Sequence, residues 1–170
     1  MEIDYKLTEE DYLNFNLFHA KSSNTIAKSL ALQRFLLPII FLIAAFMFAW
    51  IGEGSLVGSL IIFSIMGILW IVYYPKYFYG FMTKNSKKML EEGNNDGLLG
   101  DRCMILSDEG IVNSSSNGET KVKWAGIKKI EEYDNYFYIY NSAFTAYILQ
   151  KQSLTNIVDA RNYFKTKLLR

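Results

Sequence analysis

Residue types that perform covalent chemistry are scarce in this chain. Its 170 residues include one histidine, His19, and one cysteine, Cys103. A zinc site built from cysteine and histidine is therefore out of reach, and no intrachain disulfide can form. His19 follows Phe15 on a predicted helix and is expected to be an ordinary helix residue. Cys103 lies in the apolar sequence RCMIL and is expected to be a small core residue rather than a reactive thiol.

The acidic residues do not form a catalytic pair. Residues 9–11 start a predicted helix, where negative charge offsets the helix dipole, and Thr8 with Asp11 has the spacing of a capping box. Glu131 and Glu132 are adjacent on a predicted strand, so their side chains point to opposite faces. The sequence contains no nucleotide-binding, metalloprotease or nucleophile-elbow motif. We therefore predict a protein that is not an enzyme and has no catalytic residues, metal site or cofactor.

Two groups of residues could bind a partner instead. The basic group consists of Lys121, Lys123, Lys128 and Lys129. It could meet lipid phosphates, or it could be an ordinary solvated sheet face, because residues 91–170 carry a net charge of −1. The aromatic group alternates along one predicted strand and consists of Tyr136, Tyr138 and Tyr140. These tyrosines form an exposed docking face if the opposite side of the strand is core, and they are packed if the sheet is covered on both sides.

Two long uncharged segments predict that the chain is inserted in a membrane. Residues 35–52 and 54–75 are 18 and 22 residues long. As helices they would reach about 27 and 33 Å, which brackets the roughly 30 Å of a bilayer core. Both are apolar on every side, whereas a surface helix of a soluble protein has a polar face. The sequence thus predicts a transmembrane hairpin over 35–75, after a cytoplasmic strand and helix within 1–34.

Charges near the spans predict their orientation. Seven lysines and arginines lie at the ends of the hairpin that lead to the two termini, whereas the link between the spans carries only Glu53. The positive-inside rule then places both termini in the cytoplasm of a multi-pass inner-membrane protein. Pro38 is expected in the first turn of the first span, and Pro75 where the second span leaves the bilayer. Residues 76–92 are expected to form an amphipathic juxtamembrane helix near anionic headgroups, or a helical spacer.

The pattern changes to a period of two after a predicted helix break at 93–97. Six strands are predicted: 102–107, 111–116, 119–124, 127–133, 136–140 and 144–149. The dipeptide Asn117-Gly118 is typical of a type I′ hairpin, and Trp124 is expected in the core. Ser153 is the expected N-cap of a C-terminal helix. The alternating segment Glu2–Leu7 supplies a seventh strand, which would complete the cytoplasmic domain over 98–170 and make the transmembrane hairpin an insertion within it.

Seven strands with a C-terminal helix are the composition of a pleckstrin-homology-like (PH-like) domain, so the predicted fold class is an α+β membrane protein. The opening EIDYKLTEEDYLNFNLF, the two-span hairpin and the segment GETKVKWAGIKKIEEYDNYFYIY resemble the YcxB-like membrane proteins, a bacterial family. The resemblance covers essentially the whole chain. It implies a bacterial envelope protein with a cytoplasmic YcxB-like domain, but no established activity and no catalytic residues.

Together these features predict a non-enzymatic protein that acts by binding at the membrane. One hypothesis is an interaction module that holds a partner protein, or a second copy of the chain, at the bilayer. A second is a sensor of anionic lipid headgroups, and a third, the least supported, is a membrane-embedded enzyme. The formal net charge of +1 argues against a nucleic-acid partner, because nucleic-acid-binding proteins concentrate positive charge.

Overall fold

The computed structural model describes residues 1–52, 55–92 and 98–168, and within these ranges it is an α+β structure. The four helices are α1 (Glu9–Ser22), α2 (Asn24–Ile51), α3 (Leu56–Glu92) and α4 (Ile157–Leu168). The seven strands are β1 (Glu2–Leu7), β2 (Gly100–Leu106), β3 (Gly110–Ser115), β4 (Gly118–Lys123), β5 (Lys129–Tyr133), β6 (Tyr136–Tyr140) and β7 (Ala146–Gln150). The predicted α+β class, with antiparallel sheets and two long apolar helices, is confirmed.

The chain divides into two compact units. The β unit comprises residues 1–15 and the chain from Lys87 onward, and the helical unit comprises Asn16–Ser86. The charged link position Glu53 and the predicted helix break at 93–97 lie outside the described residues.

The β unit contains a four-stranded sheet of order β1-β2-β3-β4 and a three-stranded sheet of order β5-β6-β7, with every neighbouring pair antiparallel. The N-terminal strand β1 pairs along its whole length with β2, from Glu2 opposite Ile105 to Leu7 opposite Gly100. The amino group of Met1 extends this pairing by donating to the carbonyl of Leu106 at 2.8 Å. The first strand therefore belongs to a sheet whose other strands lie about 100 residues later.

The core of the β unit is formed by the inward faces of its strands and by α4. The alternation along β1 buries Ile3, Tyr5 and Leu7, as expected for a strand with one face in the core. Phe164 of α4 packs edge-on against Phe137 of β6, with ring centroids 5.3 Å apart. Apolar burial of this kind is the main favourable term in folding, so these residues hold the sheets and the helix together. The buried apolar side chains of the later strands and α4 include Met104, Leu106, Ile111, Ile139, Leu149 and Ala160.

The predictions for Trp124 and Ser153 are wrong. Trp124 lies in a 3-10 turn after β4, half-buried, and its indole N–H donates to the carbonyl of Ser107 at 2.8 Å instead of entering the core. The N-cap of α4 is Asn156, whose side-chain oxygen accepts from the N–H of Val158 at 3.0 Å, whereas Ser153 lies in a preceding 3-10 turn. A polar side chain caps whichever residue starts the helix, and the chain turns once more before that point.

The β3–β4 hairpin also differs from its predicted turn. The residues of the turn are Ser116 and Asn117, and Gly118 is already the first residue of β4. Gly118 has φ +147, while Asn117 does not have a positive φ. A type I′ turn requires positive φ at both central residues, so the hairpin forms in the expected place with a different turn.

The helical unit consists mainly of α2 and α3. The most apolar 18-residue windows of the two helices are only 6% and 11% buried, and both helices are long and apolar enough to cross a membrane. Because α2 begins at Asn24, with the Ser23 side chain as its N-cap, Pro38 lies in the helix interior and not in a first turn as predicted. Pro75 likewise lies inside α3, which continues through residues 76–92 as one helix.

The two long helices approach closely where small side chains face each other. Ala45 is fully buried on α2, and Ser59 and Gly67 are buried on α3. A Cβ atom added at Gly67 would lie 3.3 Å from the Cβ of Pro38, which is tighter than ordinary van der Waals contact. Small residues at such positions let helix backbones approach in an apolar environment.

Candidate interaction surface

The predicted tyrosine stripe on β6 is buried. Tyr136, Tyr138 and Tyr140 are 9%, 1% and 0% exposed, and all five residues of β6 are buried. Phe15 of α1 covers this face, with its ring centroid 5.3 Å from that of Tyr138 and 5.9 Å from that of Tyr140. Of the two alternatives that the sequence left open, the structure has the sheet covered on both sides. These three tyrosines do not form an exposed docking face.

A buried carboxylate anchors α1 on this sheet face. The Tyr136 hydroxyl donates to Asp11 Oδ1 at 2.8 Å, and Gln150 Nε2 donates to Asp11 Oδ2 at 2.5 Å. Thr8 donates to the same oxygen through its backbone N–H at 2.8 Å and its hydroxyl at 2.6 Å. The Asp11 N–H donates back to Thr8 Oγ1 at 3.2 Å, which completes the predicted capping box. Polar groups from three elements thus satisfy one buried side chain and fix the helix on the sheet.

Burial also sets the protonation of the tyrosines. Desolvation raises the pKa of Tyr140 to about 12 and raises the pKa of Tyr138 as well. The pKa of Tyr136 is raised chiefly by burial, with a further contribution from its hydrogen bond to the Asp11 carboxylate. Because each phenol keeps its proton, the three hydroxyls are neutral groups near neutral pH. They serve packing and hydrogen bonding.

The four lysines of the basic group are exposed on edge strands. Lys121 and Lys123 lie on β4, at the edge of the four-stranded sheet, while Lys128 precedes and Lys129 begins β5, at the edge of the other sheet. Lys121 and Lys129 each form an ion pair with a glutamate two residues away, at 2.8 and 2.9 Å. For Lys123 and Lys128 no ion pair is found with any residue that the structure describes. The positive charge of the group is therefore partly neutralised.

An exposed aromatic side chain lies at the tip of the β6–β7 hairpin. Phe144 is 77% exposed. The tip is ordered by its own hydrogen bonds, because Ser142 Oγ accepts from the N–H groups of Phe144 at 3.1 Å and Thr145 at 3.0 Å. The sequence pattern predicted Phe144 as the start of a strand, but β7 begins at Ala146. The polar pair Asn141-Ser142 was the available signal for a longer turn.

Phe144 and two of the lysines lie at the same end of the three-stranded sheet. Lys129 is in register with Tyr140, the last residue before the β6–β7 turn, and its ammonium lies 4.4 Å from the centroid of that ring. The N–H of Lys128 donates to the carbonyl of Tyr140 at 2.8 Å. We call Lys128, Lys129 and Phe144 the basic-aromatic end of the sheet. It combines positive charge with an exposed apolar side chain.

The opposite end of this sheet carries charges of both signs, which pair with each other. Glu132 accepts two hydrogen bonds from Arg161 of α4, at 2.7 and 2.6 Å, and pairs with Lys151 at 2.9 Å. Hydrogen bonds from Arg161 and then Lys151 lower the pKa of Glu132 to about 2. The β5–β6 turn follows at Asp134, which has φ 47. At the basic-aromatic end Lys129 is paired with Glu131, whereas Lys128 has no ion pair with any residue that the structure describes, so the uncompensated positive charge there is that of Lys128.

Cys103 does not occupy the predicted core position. Met104 and Leu106 take the inward face of β2, so Cys103 is half-buried on the other face, where its thiol donates to Glu2 Oε1 at 3.5 Å. A hydrogen bond to Asp4, with smaller contributions from burial and Glu2, raises the pKa of Cys103 to about 11. The thiol stays protonated near neutral pH, and a protonated thiol is a poor nucleophile. The apolar run CMIL, from Cys103 to Leu106, gave no indication of which face would be buried.

An open groove of about 550 Å³ runs beside Cys103 along β1, β2 and β3. Its acidic and basic side chains balance, with Asp4 and Asp101 beside Lys6 and Arg102. A mixed surface of this kind offers neither an activated nucleophile nor a strong field for a charged substrate.

His19 lines a smaller cavity, of about 100 Å³, in the helical unit. Its other polar lining residues are Asn16, Thr83 and Ser86. The side-chain nitrogen of Asn16 is buried with no hydrogen-bond partner among the residues described. Across the described ranges, no group of three or more histidine, cysteine, aspartate or glutamate side chains is arranged to hold a metal ion.

One comparison with known proteins finds a family model that matches part of the chain. Residues 106–168 match the family model described as YcxB-like protein. The matched segment begins at the end of β2 and contains β3 to β7 and α4, so the resemblance recognised from the sequence is confirmed for this part of the β unit. No curated protein and no solved structure matches the chain.

Proposed function

We propose that the chain is a non-enzymatic bacterial inner-membrane protein that spans the bilayer twice, through α2 and α3. The observation that carries this proposal is the exposure of the two apolar helices. In their most apolar 18-residue windows, only 6% and 11% of the window is buried by the protein itself. Trp50 is 89% exposed and Ile51 is 79% exposed. Exposing this much apolar surface to water is unfavourable, whereas the acyl chains of lipids solvate it favourably.

Both termini are proposed to lie in the cytoplasm, with Ser55 on the outer side. Positively charged residues are retained on the cytoplasmic side of membrane helices. They flank only the ends of the hairpin that lead to the termini: Lys21, Lys28, Arg34, Lys76, Lys84, Lys87 and Lys88.

Cysteine labelling tests this topology in intact cells. In a Cys103→Ser background, Ser55→Cys is expected to react with a membrane-impermeant maleimide from outside, because it lies between the two spans. Ser116→Cys, on the exposed β3–β4 turn, is the matched control and is expected to react only after the inner membrane is permeabilised. The reverse pattern would contradict the proposed orientation, and labelling of both positions without permeabilisation would contradict the two-span arrangement.

The β unit is proposed to be a PH-like binding module. Sheets of four and three antiparallel strands followed by a C-terminal helix support this assignment. The burial of the β6 tyrosines removes the surface on which binding of a partner protein was predicted. Two exposed features of this unit that could contact a ligand are the basic group and the basic-aromatic end.

Anionic lipid headgroups are the ligand that this surface fits best. A lysine near an anionic membrane surface contributes about 1 kcal/mol to attraction, and an apolar side chain such as phenylalanine is favourable at the boundary between headgroups and acyl chains. Lys128, Lys129 and Phe144 present both properties from one end of a sheet. Because the hairpin tip is ordered by its own hydrogen bonds, little conformational entropy is lost when it meets the bilayer.

A fluorophore at the hairpin tip tests this ligand. The full chain carrying Cys103→Ser and Phe144→Cys is labelled with an environment-sensitive dye and reconstituted in nanodiscs of phosphatidylcholine alone or with phosphatidylglycerol. We expect a blue-shifted emission only with the anionic lipid, and a loss of the shift in 1 M salt, where the Debye length is about 3 Å. Lys128→Gln with Lys129→Gln is expected to abolish the shift.

The matched control carries the same dye at Ser116→Cys on the β3–β4 turn, which lacks the flanking lysines 128 and 129. Its emission is expected to be equal in both lipids. Equal emission of the Phe144→Cys protein in neutral and anionic nanodiscs would contradict the headgroup proposal. That result would favour the alternative in which the module binds a partner protein or a second copy of the chain.

A further inference from the structure

Pro75 removes a backbone hydrogen bond from the interior of α3. In an α-helix the carbonyl of each residue accepts from the N–H four positions later. Proline has no N–H, so the carbonyl of Ile71 lacks the donor that position 75 would otherwise supply. An unsatisfied carbonyl is costly in an apolar environment, and prolines inside membrane helices persist where neighbouring groups satisfy the freed backbone.

A side chain from the other helix supplies the missing donor. Arg34 of α2 donates from Nε to the carbonyl oxygen of Ile71 at 2.9 Å. The carbonyl that Pro75 frees is therefore satisfied by a residue 37 positions earlier in the chain. A hydrogen bond with a charged donor is stronger than one between neutral groups, so one arginine compensates well for one lost backbone bond.

Neighbouring contacts hold the two helices together at the same level. The indole N–H of Trp70 donates to the carbonyl of Gln33 at 3.3 Å, and the Tyr74 hydroxyl donates to the side-chain oxygen of Gln33. The Trp70 and Tyr74 rings stack at 4.5 Å, and Tyr74 is 7% exposed. Both hydrogen bonds bring a residue that precedes Pro75 on α3 against Gln33, the residue that adjoins Arg34 in the chain.

We propose that Arg34 and Pro75 form a latched hinge in the helical unit. Proline is the usual site of a kink, because it removes a hydrogen bond and its ring crowds the preceding turn. With the Arg34–Ile71 hydrogen bond made, α3 continues through Pro75 to Glu92. When this bond is broken, the Ile71 carbonyl loses its donor and the helix bends at Pro75. Arg34 thus acts by keeping α3 continuous at Pro75. This proposal does not depend on which ligand the β unit binds.

Hydrogen exchange of the full chain in detergent micelles tests the latch through a double-mutant cycle. Arg34→Gln is expected to raise exchange of the α3 amides around residues 72–79 by about tenfold or more, equivalent to about 1.4 kcal/mol. Pro75→Ala restores the N–H that Ile71 needs. In the Pro75→Ala background, Arg34→Gln is therefore expected to change exchange by less than about twofold.

Lys28→Gln is the matched control, because it removes the same charge from an exposed position of the same helix. It is expected to leave exchange around Pro75 unchanged. An equal effect of Arg34→Gln with and without Pro75, or no effect in either background, would overturn the latch. If Arg34→Gln alone does not fold, recovery of the folded protein in the Arg34→Gln, Pro75→Ala double variant supports the proposal, and failure to recover contradicts it.

Discussion

Asp11 shows how a single buried side chain connects distant parts of the β unit. Its carboxylate accepts hydrogen bonds from Thr8, Tyr136 and Gln150, and it is 5% exposed. A buried acceptor of this kind stabilises only when its donors are present, since an acceptor left without a partner keeps its desolvation cost. The capping box by itself involves only the start of a helix. Here both oxygens of Asp11 also accept from the sheet, Oδ1 from Tyr136 and Oδ2 from Gln150.

The thiol of Cys103 provides a test at the residue scale. Because the pKa of Cys103 is raised to about 11, mainly by its hydrogen bond to Asp4, we expect slow reaction with an aromatic disulfide at pH 7.5. The rate should rise about tenfold per pH unit as the thiolate fraction grows. Asp4→Asn is expected to accelerate the reaction at pH 7.5, and Asp101→Asn, two residues from Cys103 on the same strand, is the control. Fast reaction of the unmodified chain at neutral pH would contradict the assignment of Cys103 as an unreactive residue.

At the scale of elements, α4 is held against β5 partly by charge. Arg161 and Lys151 lower the pKa of Glu132 to about 2 from an ordinary 4.5. A carboxyl group whose pKa is lower in the folded state stabilises that state above its unfolded pKa. The contribution is therefore complete above about pH 4.5 and disappears as the pH falls toward 2.

Denaturant unfolding at several pH values measures this contribution. Glu132→Gln is expected to lower the unfolding midpoint at pH 7, and the difference from the unmodified chain should shrink between pH 4.5 and 2. Glu119→Gln is a matched control, because its carboxyl pairs only with groups on the same hairpin, so its effect on the midpoint should be small. A Glu132→Gln difference that stays constant down to pH 2 would show that the ion pair does not stabilise the docking of α4.

The elements were predictable where the sequence pattern itself determines the structure. The two long helices follow from uninterrupted apolar length, and β6 occupies Tyr136–Tyr140 as predicted because a turn sequence precedes it. The burial of its tyrosines was not predictable, because the helix that covers them lies about 125 residues earlier in the chain. The outward position of Cys103 was missed because the run CMIL, from Cys103 to Leu106, is apolar on both faces, and a period of two cannot be recognised in such a run.

At the scale of the whole molecule, the β unit is assembled from both ends of the chain. Its first strand and the start of α1 precede the helical unit in sequence, and its remaining strands and α4 follow it. Long-range contacts of this kind form only after a large loop is closed, which disfavours them early in folding. The helical unit is therefore an insertion between two neighbouring strands of one sheet, β1 and β2.

This arrangement predicts that the C-terminal segment does not fold by itself. Residues 98–170 lack β1, so β2 becomes an unpaired edge, and they also lack Asp11 and Phe15, which cover the β6 tyrosines. We expect this fragment to show no cooperative unfolding transition and to aggregate through its exposed edge.

Residues 1–20 joined to 98–170 by a flexible linker are expected to unfold cooperatively. The same linked chain with Asp11→Ala is the control and should be less stable, because Tyr136 and Gln150 lose their acceptor. If the fragment 98–170 unfolds as cooperatively as the linked chain, then β1 and α1 are additions to an independent domain and the split-domain assignment is wrong.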